Sequence, residues 1–364
     1  MKIIFRISYM GFGGAEQVFI SLAKEWMKQH EVLFVTDKST GSSYKTLQDF
    51  SIPVKSLDCK RTLLSVFKLK SVIDEFKPDV ILSAYPDTNA ACILSAKLAK
   101  SSAKVFVSEH ASIIEHFGSK SKFTQLKVSS IVKFLYPLAD KVIAVSEGVM
   151  SDLIPLVKDE TKCTFIHNPI RFLADESTSN SKSKRSDILK ILAVGRVTPQ
   201  KDYTNLLKAV SELKNREYPV EVTILGGTHD KSEMDKLSAL SHSLQINDQI
   251  NFAGFSDDVP GFYSRADLFV LSSAWEGFGN VIVEALAFGL PVVSTDCRSG
   301  PKEILQDGKY GRLVPVSDYV SLAQAIIQES SNPSCSLGER LERAGDFSEA
   351  NVAEKYMKLF LSCK

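Results

Sequence analysis

Short apolar runs alternate with helix-like segments along the chain, and this alternation is the strongest constraint on the fold. A buried parallel strand is a short continuous apolar run, and a helix usually returns the chain to start the next one. The predicted strands of the first half are KIIFRIS, EVLFVT, DVILSA, KVFVSE, KVIAVS and CTFIHN. Those of the second half are ILKILAVG, VEVTILGG, QINFAG, ADLFVLSS, LPVVST and YGRLVPV. The pattern predicts an α/β chain with two doubly wound, Rossmann-like domains.

One polar stretch interrupts the alternation. FLADESTSNSKSKRSD, which starts at Phe172, is rich in serine and has no strand pattern, so it is typical of a linker. We therefore predict an N-terminal domain over 1–171, a linker over 172–188 and a C-terminal domain over 189–347. The helical segment 348–364 has no strand after it and is expected to pack back on the first domain. A ligand site between two such domains is the default expectation.

Composition excludes several classes of protein. The net charge of the 364 residues is +1, so bulk charge does not indicate nucleic acid. None of the six cysteines forms a C-x-x-C pair, which argues against a zinc site or a disulfide framework. No apolar run approaches the roughly 18 residues of a membrane span, and MKIIFRIS leads into a glycine turn like a strand rather than a signal peptide. A cytoplasmic location is expected.

The stretch AWEGFGNVIVEALAFG holds two glutamates, Glu276 and Glu284, eight positions apart. ADLFVLSS before it predicts a buried strand, and NVIVEALAFG predicts a helix with Asn280 as its N-cap and Gly289 as its stop. Glu276 would then lie at the carboxyl edge of a sheet, and Glu284 near a helix N-terminus. Between them, the backbone of Gly277, Phe278 and Gly279 can approach a ligand closely. The motif predicts a site for a ligand with phosphate and hydroxyl groups; the alternative is a helix start that merely carries acids.

A glycine loop, GFGGAEQ, follows the first predicted strand, and Asp37 ends the second. This partly matches a dinucleotide-binding G-x-G-x-x-G with an acid about twenty residues on. The fit is incomplete because Glu16 occupies the third glycine position. The other interpretation is that Gly13 and Gly14 let the loop touch a phosphate or a sugar.

A pair of cations follows strand ILKILAVG in VGRVTPQKDY. Arg196 and Lys201 lie five residues apart in a strand-to-helix loop, where a forked guanidinium and an ammonium can clamp a diphosphate. The alternative is two solvated surface cations. The chain has no D-x-D pair, with which many enzymes that use nucleotide sugars hold a metal. We therefore expect no metal and no other cofactor.

Glu109 and His110 follow the fourth predicted strand in SEHAS. A single histidine is more often structural than functional. At the carboxyl end of a strand that faces a cleft, however, His110 becomes a candidate site residue.

The first domain carries two basic stretches. One holds Lys60, Arg61, Lys68, Lys70 and Lys77; the other holds Lys120, Lys122, Lys127, Lys133 and Lys141. The second stretch includes KFTQLKVSSIVKFLY, which mixes lysines with large apolar residues. A basic amphipathic segment favours an anionic membrane surface as partner, and the alternative is a solvated helix.

Taken together, these motifs resemble a known family. EGFGNVIVE is similar to the E-x7-E motif of the retaining glycosyltransferases of family 4, which have the GT-B fold of two Rossmann-like domains facing a cleft. GRVTPQKD resembles the phosphate-binding segment of that family and GGAEQV its first glycine loop. RSGPKEIL, from Arg298, resembles bacterial enzymes that build lipid-linked glycans or surface polysaccharides.

The resemblance implies roles toward a nucleotide sugar. Glu284 would hold the ribose hydroxyls, and Arg196 and Lys201 would hold the diphosphate. Asn280 and Val281, at the helix start, would face the β-phosphate.

The remaining implied roles concern the sugar and the base. Glu276 and the amides of 277–279 would bind the sugar hydroxyls, with His110 also on the sugar and Gly14 on the phosphate. Gly254 and Phe255 would meet the base. The residues implied for catalysis are Glu276, His110, Arg196 and Lys201.

We accordingly predict an enzyme that moves a hexose or N-acetylhexosamine from a UDP-sugar to a glycan acceptor carried on a polyprenyl diphosphate, with retention and without an assigned protein nucleophile. The enzyme would lie peripherally on the inner face of the cell membrane and bind no nucleic acid. The alternatives are a GDP-sugar (mannosyl) transferase of the same fold, a nicotinamide-dependent oxidoreductase that uses GFGGAE, and a non-catalytic nucleotide-sugar sensor.

Overall fold

The protein, seen in a computed structural model that describes residues 1–11, 13–118, 121–170, 187–228 and 230–363, divides into two compact units. Unit 1 comprises Met1–Arg171 with Phe347–Lys364, and unit 2 comprises Phe172–Asp346. Phe347 thus lies with unit 1, whereas the sequence assigned it to the second domain; its carbonyl accepts a hydrogen bond from the Ile170 amide at 2.7 Å. Apart from 187 and 188, the predicted linker lies outside the described residues.

Unit 1 contains a seven-stranded sheet in the order β3-β2-β1-β4-β5-β6-β7. All of its neighbouring strands pair in parallel, so their carboxyl ends share one edge. The strands are β1 Lys2–Arg6, β2 Glu31–Thr36, β3 Val54–Ser56, β4 Val80–Ala84, β5 Lys104–Glu109, β6 Lys141–Ala144 and β7 Cys163–Phe165. Only β3 was not predicted, because three half-buried residues after Pro53 show no apolar run.

The helices of unit 1 cover this sheet, and a helix from the C-terminus joins them. They are α1 Gly14–Trp26, α2 Tyr44–Asp49, α3 Val66–Phe76, α4 Pro86–Leu98, α5 Ile113–Gly118, α6 Lys122–Phe134, α7 Glu147–Val157 and, after unit 2, α15 Glu349–Ser362. The ring of Phe360 on α15 lies 5.5 Å from Trp26 on α1 and 4.4 Å from Phe106 on β5. The C-terminal helix therefore packs into the core of unit 1.

Unit 2 contains a six-stranded parallel sheet in the order β10-β9-β8-β11-β12-β13. Its strands are β8 Leu189–Val194, β9 Val220–Leu225, β10 Ile250–Gly254, β11 Leu268–Leu271, β12 Val292–Thr295 and β13 Arg312–Val314. Its helices are α8 Tyr203–Asn215, α9 Lys231–Ser243, α10 Val259–Arg265, α11 Asn280–Ala287, α12 Pro301–Ile304, α13 Tyr319–Ser331 and α14 Leu337–Gly345. Both units are doubly wound, as the alternating pattern predicts.

Candidate active site

The centre of the unit 2 sheet brings the two main sequence motifs together. β8 pairs with β11, and the chain leaves them in opposite directions, toward β9 and toward β12. At such a switch point the loops diverge and leave a crevice outside the carboxyl ends of the strands. The loop after β8 carries Arg196 and Lys201, and the loop after β11 carries Glu276 and the glycine turn.

Lys201 and Glu276 form an ion pair at the carboxyl edge of the unit 2 sheet. Lys201 Nζ lies 2.6 Å from Glu276 Oε1, and their side chains are only 13% and 8% exposed. Ser273 Oγ donates a second hydrogen bond to the same carboxylate oxygen at 2.7 Å. The resemblance assigns these residues to different parts of a ligand, the diphosphate and the sugar. The structure instead places them in direct contact, so a ligand that reaches one of these side chains also reaches the other.

The local backbone explains how Lys201 reaches this position. A Cβ on Gly195 would lie 2.4 Å from Lys201 Cε, so the lysine side chain runs closely over this glycine. Lys201 ends a short 3-10 helix, and the Asp202 side chain then caps α8 by accepting from the Asn205 amide at 3.3 Å. Gln200 links the same loop to the next motif, because its carbonyl accepts from the Ala274 amide at 2.8 Å.

Arg196 differs from Lys201 in its surroundings. Its side chain is exposed at the end of β8, whereas Lys201 is largely buried. An exposed guanidinium keeps its five donors available for the oxygens of a phosphate. Arg196 and Lys201 therefore lie at the same edge of the sheet, but Arg196 faces solvent whereas Lys201 faces the carboxylate of Glu276.

The glycine turn between the two glutamates is buried and tightly held. Gly277, Phe278 and Gly279 are all buried. Gly300, which has φ +92°, presses against this turn so closely that a Cβ would lie 1.8 Å from the Phe278 carbonyl oxygen. Gly300 was not predicted as a site residue, although it is the glycine of RSGPKEIL; no larger residue fits behind the turn.

The helix after this turn begins one residue earlier than the predicted cap implies. Asn280 is the first residue of α11, and Gly279, with φ +93°, is its N-cap. The prediction of Asn280 as N-cap is therefore wrong: a left-handed turn favours glycine at the cap itself. Asn280 and Val281 therefore lie at the N-terminus of α11, the end of a helix that favours an anion.

Glu284 has its own set of contacts on α11. It is 8% exposed, and its Oε2 accepts a hydrogen bond of 2.8 Å from the hydroxyl of Tyr263. Tyr263 is fully buried and stacks on Phe288, with ring centroids 5.3 Å apart. Sequence reasoning missed Tyr263, since a tyrosine near the end of α10 carries no motif signal. Glu276 and Glu284 are thus fixed by different partners on the two sides of the turn.

The residues predicted to meet a base lie at the end of β10. Gly254 has φ +67°, and the strand register shifts between Phe252 and Gly254. The ring-bearing Phe255 that follows is 62% exposed. An exposed ring at the carboxyl edge of a sheet offers a surface on which a planar base can stack.

Unit 1 contains the other two predicted positions, and Gly14 is the first of them. Gly14 is the first residue of α1, and Gly13 is its N-cap. A Cβ on Gly13 would lie 2.2 Å from Glu16 Oε2, which accepts from the hydroxyl of Tyr85 at 3.0 Å. The carboxylate of Glu16 thus folds back over Gly13, and a larger residue at this position would require the Glu16 side chain to move.

His110 follows β5, as predicted, and its protonation can be derived from its neighbours. Ser108 Oγ gives its only proton to the carbonyl of Ser83 at 2.9 Å, so His110 Nε2, 3.0 Å away, must be the donor to Ser108. His110 Nδ1 then presents a lone pair, and it is buried without a hydrogen-bond partner among the described residues. Burial lowers the pKa of His110 to about 4, so the ring is neutral at pH 7.

Glu109, next to His110, belongs to a buried polar cluster. Its Oε1 accepts from the hydroxyl of Tyr136 and, at 3.1 Å, from Asn89 Nδ2. Burial raises the pKa of Glu109 to about 7, against the lowering effect of these two donors. The end of β5 therefore carries two titratable side chains whose charged forms are both disfavoured.

Asp37 does not have the environment of a ribose ligand. It is 5% exposed and pairs with the fully buried guanidinium of Arg6, while Thr62 Oγ1 donates to its other oxygen at 2.7 Å. An acid that neutralises a buried arginine is needed for that purpose, because removing it would leave an uncompensated charge. This arrangement weighs against the oxidoreductase alternative.

Two family models match consecutive parts of the chain. The model of glycosyltransferase family 4 matches residues 12–171, and the model of glycosyl transferases group 1 matches residues 175–348. Their boundary falls within the predicted linker.

Relatives match over the full length. An α-1,4-N-acetyl-D-galactosaminyltransferase of Campylobacter jejuni, which acts on a GalNAc-GalNAc-diNAcBac-PP-undecaprenol, is 26% identical, with 100% of this chain and 99% of the relative covered. The lipopolysaccharide core biosynthesis glycosyltransferase LpsD of Rhizobium meliloti is 27% identical, with 99% and 98% covered. The crystal structure of Anabaena Alr3699/HepE in complex with UDP and glucose matches with a TM-score of 0.83 at 21% identity, over 100% of both chains. The predicted GT-B fold is confirmed.

Proposed function

The chain belongs to glycosyltransferase family 4, with a group 1 domain in its second half, and on that premise we propose that it transfers a hexose or N-acetylhexosamine from a UDP-sugar to a glycan. The observation that carries the proposal is the pair of glutamates with separate fixed partners around one buried turn. Glu284 binds the ribose, Glu276 binds the sugar, and the turn and the first amides of α11 lie between them. Glu276 and Glu284, eight positions apart in the sequence, would thus contact the sugar end and the ribose end of one nucleotide sugar.

The reaction proceeds with retention. The bond from the anomeric carbon to the β-phosphate oxygen breaks, and its electron pair leaves on UDP. The acceptor hydroxyl oxygen forms the new bond on the same face, and its proton passes to the leaving phosphate oxygen. Arg196, Lys201 and the amides at the start of α11 stabilise the charge that develops on this phosphate. Neutral His110, in unit 1, is proposed to accept a hydrogen bond from a sugar hydroxyl at Nδ1 and to take no part in proton transfer.

The base is uracil in this proposal. The matched Anabaena structures contain UDP, UDP with glucose, or UDP-glucose. In this chain the exposed ring of Phe255 offers a stacking surface next to Gly254. No contact among the described residues favours guanine over uracil, so a GDP-sugar remains the competing donor within the same fold.

The acceptor is a glycan carried on polyprenyl diphosphate. Two Campylobacter relatives have names that specify undecaprenyl-diphosphate-linked acceptors. The lipopolysaccharide 1,6-galactosyltransferase of Escherichia coli is a further relative, 26% identical with 87% of this chain covered. The first two names specify a lipid carrier and the third a lipopolysaccharide, and on this basis we assign this chain an acceptor of the lipid-linked class.

The enzyme docks on the membrane through unit 1. No helix within the described residues has the length and apolarity to cross a bilayer. On α6, Phe123, Leu126 and Phe134 are 78%, 68% and 63% exposed and form one stripe at helical spacing, with Lys122 and Lys133 beside it. Such a helix suits an anionic interface.

The lysines predicted for this docking do not all contribute in the same way. Lys127 pairs with Asp87 at 2.6 Å, and Lys141 donates to the Thr161 carbonyl at 2.6 Å, so these two have partners within unit 1. Lys122 and Lys133 are exposed, and Lys120 lies outside the described residues. The electrostatic contribution of α6 is therefore smaller than five lysines suggest.

A donor screen tests the proposed activity. UDP, GDP, ADP and NADH are compared by thermal shift, and the UDP-sugars are then assayed for transfer to a synthetic GalNAc-terminated polyprenyl diphosphate and for hydrolysis. UDP should raise the melting temperature most, and at least one UDP-hexose or UDP-N-acetylhexosamine should turn over. Stabilisation by GDP alone would assign the donor to the alternative class, and stabilisation by NADH alone would overturn the proposal.

Donor binding is expected to need no metal, because Arg196 and Lys201 supply the positive charge that the diphosphate requires. Activity in the presence of EDTA should equal activity without it. Complete loss with EDTA that added manganese reverses would contradict this expectation.

A further inference from the structure

Three large apolar side chains at the start of α3 point into solvent. Leu63, Leu64 and Phe67 are 41%, 69% and 74% exposed and lie within five residues of one another. Single exposed apolar residues are normal, but a contiguous group marks an interaction site. We refer to these three residues as the α3 apolar cluster.

The backbone beneath the cluster is firmly anchored. Thr62–Ser65 forms a 3-10 helix that continues into α3, and Ser65 is fully buried. Ser65 Oγ donates to the Thr62 carbonyl at 2.6 Å and accepts from Arg6 at 3.2 Å. The turn that buries Ser65 and Leu69 necessarily directs the cluster outward. Its exposure follows from a fixed fold of the chain.

The cluster has a cationic border. The stretch 60–70, KRTLLSVFKLK, contains four cations and no acid. Lys60 and Arg61 are exposed beside the cluster, whereas Lys68 donates to the Leu57 carbonyl at 2.7 Å and Lys70 pairs with Asp74. Apolar side chains next to free cations match a lipid surface with anionic headgroups.

The neighbouring helices extend the same surface. α4 packs against both α3 and the 3-10 helix, and α6 packs against α4. On α4, Leu94 and Leu98 are 36% and 49% exposed. The α3 apolar cluster and the exposed stripe of α6 therefore belong to one layer of helices within unit 1.

We propose that the α3 apolar cluster inserts into an anionic lipid bilayer, with Lys60 and Arg61 on the headgroups, as a second anchor beside α6. This inference rests on the membrane-linked acceptor of the proposed function. A second copy of the chain is a poorer occupant, because two such surfaces would bring their cations together. A bilayer that contains phosphatidylglycerol satisfies the apolar and the cationic groups at once.

Vesicle co-sedimentation of the full chain tests the anchor. The vesicles contain phosphatidylcholine with or without phosphatidylglycerol, and the variant is Leu64→Ser with Phe67→Ser. Removing a leucine and a phenylalanine from the interface should lower partitioning onto anionic vesicles by at least about tenfold. The matched control is Phe50→Ser with Leu361→Ser, which removes the same residue types at 48% and 50% exposure elsewhere in unit 1 and should partition like the wild type.

A fluorescence experiment reports insertion directly. In Phe67→Trp, emission should shift to the blue with anionic vesicles, and lipids brominated on their acyl chains should quench the shifted emission. Because the chain has two other tryptophans, the wild type serves as the blank. No shift and no quenching would overturn the proposal.

Donor hydrolysis in solution separates this inference from the proposed function. The cluster variant should hydrolyse the UDP-sugar at the wild-type rate, since Leu64 and Phe67 are outside the predicted site. If it hydrolyses normally and also binds vesicles like the wild type, the anchor is overturned and the transferase remains. If the wild type ignores anionic vesicles but forms a dimer that the variant does not form, the surface binds a second copy and the bilayer is overturned.

Discussion

The carboxyl edges of the two sheets carry different kinds of groups. In unit 2, Lys201 and Glu276 form an ion pair, and exposed Arg196 adds a further charge. In unit 1, the end of β5 carries His110 with a pKa lowered to about 4 and Glu109 with a pKa raised to about 7. At the unit 2 edge, pairing stabilises the charged forms of Lys201 and Glu276. At the unit 1 edge, burial favours the neutral forms of His110 and Glu109.

This difference separates two tasks in the proposed reaction. Paired and exposed charges can be redistributed when a diphosphate arrives, because the ammonium of Lys201 can turn from a carboxylate toward a phosphate. Neutral donors and acceptors instead suit sugar hydroxyls, which carry no charge. The comparison can be tested by removing one group at a time from each edge.

Lys201→Ala should have the largest effect. It leaves Glu276 with one neutral donor, Ser273, in a position that is 8% exposed. Breaking such a buried pair costs roughly 3–5 kcal/mol of folding stability, and loss of the phosphate contact should weaken UDP binding by roughly 1.5–3 kcal/mol. Urea unfolding and calorimetric titration with UDP measure the two effects.

Arg196→Ala is the matched control for this change. Because its guanidinium is exposed, its removal should weaken UDP binding by a similar amount and leave the free energy of unfolding nearly unchanged. If both substitutions lowered the free energy of unfolding equally, the ion pair with Glu276 would not make Lys201 more important for stability than Arg196.

Glu284→Gln and Glu276→Gln should fail in different ways. If Glu284 binds the ribose, its variant weakens UDP and the UDP-sugar alike, by roughly 1.5–3 kcal/mol. The Glu276 variant should lose turnover but bind UDP at least as well as the wild type, because Lys201 is then released from its carboxylate partner. Identical binding of UDP and donor by the two variants would contradict separate roles.

The sequence predicted the strands and the motif residues, but it did not predict their contacts. Apolar periodicity is local information, and it failed only at Val54–Ser56, where three residues are too few to show it. The Lys201–Glu276 contact joins residues 75 positions apart. Tyr263 and Gly300 were missed because their importance lies in what packs against them, Glu284 and Phe278.

The pH dependence of stability tests the unit 1 edge. Unfolded Glu109 loses its proton near pH 4.5 but the folded form near 7, so its contribution to stability falls as pH rises through this window. Unfolded His110 titrates near 6.5 and the folded form near 4, so its contribution rises between these values. In the wild type the two trends oppose each other between about pH 4.5 and 6.5.

Single substitutions should expose each trend. Relative to the wild type, His110→Gln should lose stability as pH rises from 4.5 to 6.5, and Glu109→Gln should gain it, each by on the order of 1–3 kcal/mol. Urea unfolding at several pH values gives these differences. If the free energies of unfolding of both variants ran parallel to that of the wild type across this pH range, the two groups would not titrate as their burial implies.

Tyr263→Phe should have the smallest effect and sharpens the account of Glu284. Without the hydroxyl, Glu284 Oε2 loses a donor at 2.8 Å while the ring keeps its stack on Phe288. The carboxylate is then less firmly oriented, and UDP binding should weaken by about 1 kcal/mol. The measurement is calorimetric titration of the variant and the wild type with UDP.

A second nucleotide distinguishes positioning from general packing. 2′,3′-Dideoxy-UDP lacks the hydroxyls that Glu284 is proposed to bind, so its affinity should be the same for wild type and Tyr263→Phe. The cycle of two proteins and two nucleotides isolates the coupling between the tyrosine hydroxyl and the ribose. If both nucleotides weaken equally, Tyr263 supports the unit 2 core around α10 and α11 rather than the orientation of Glu284. A coupling confined to UDP would instead place the ribose on the carboxylate that Tyr263 holds.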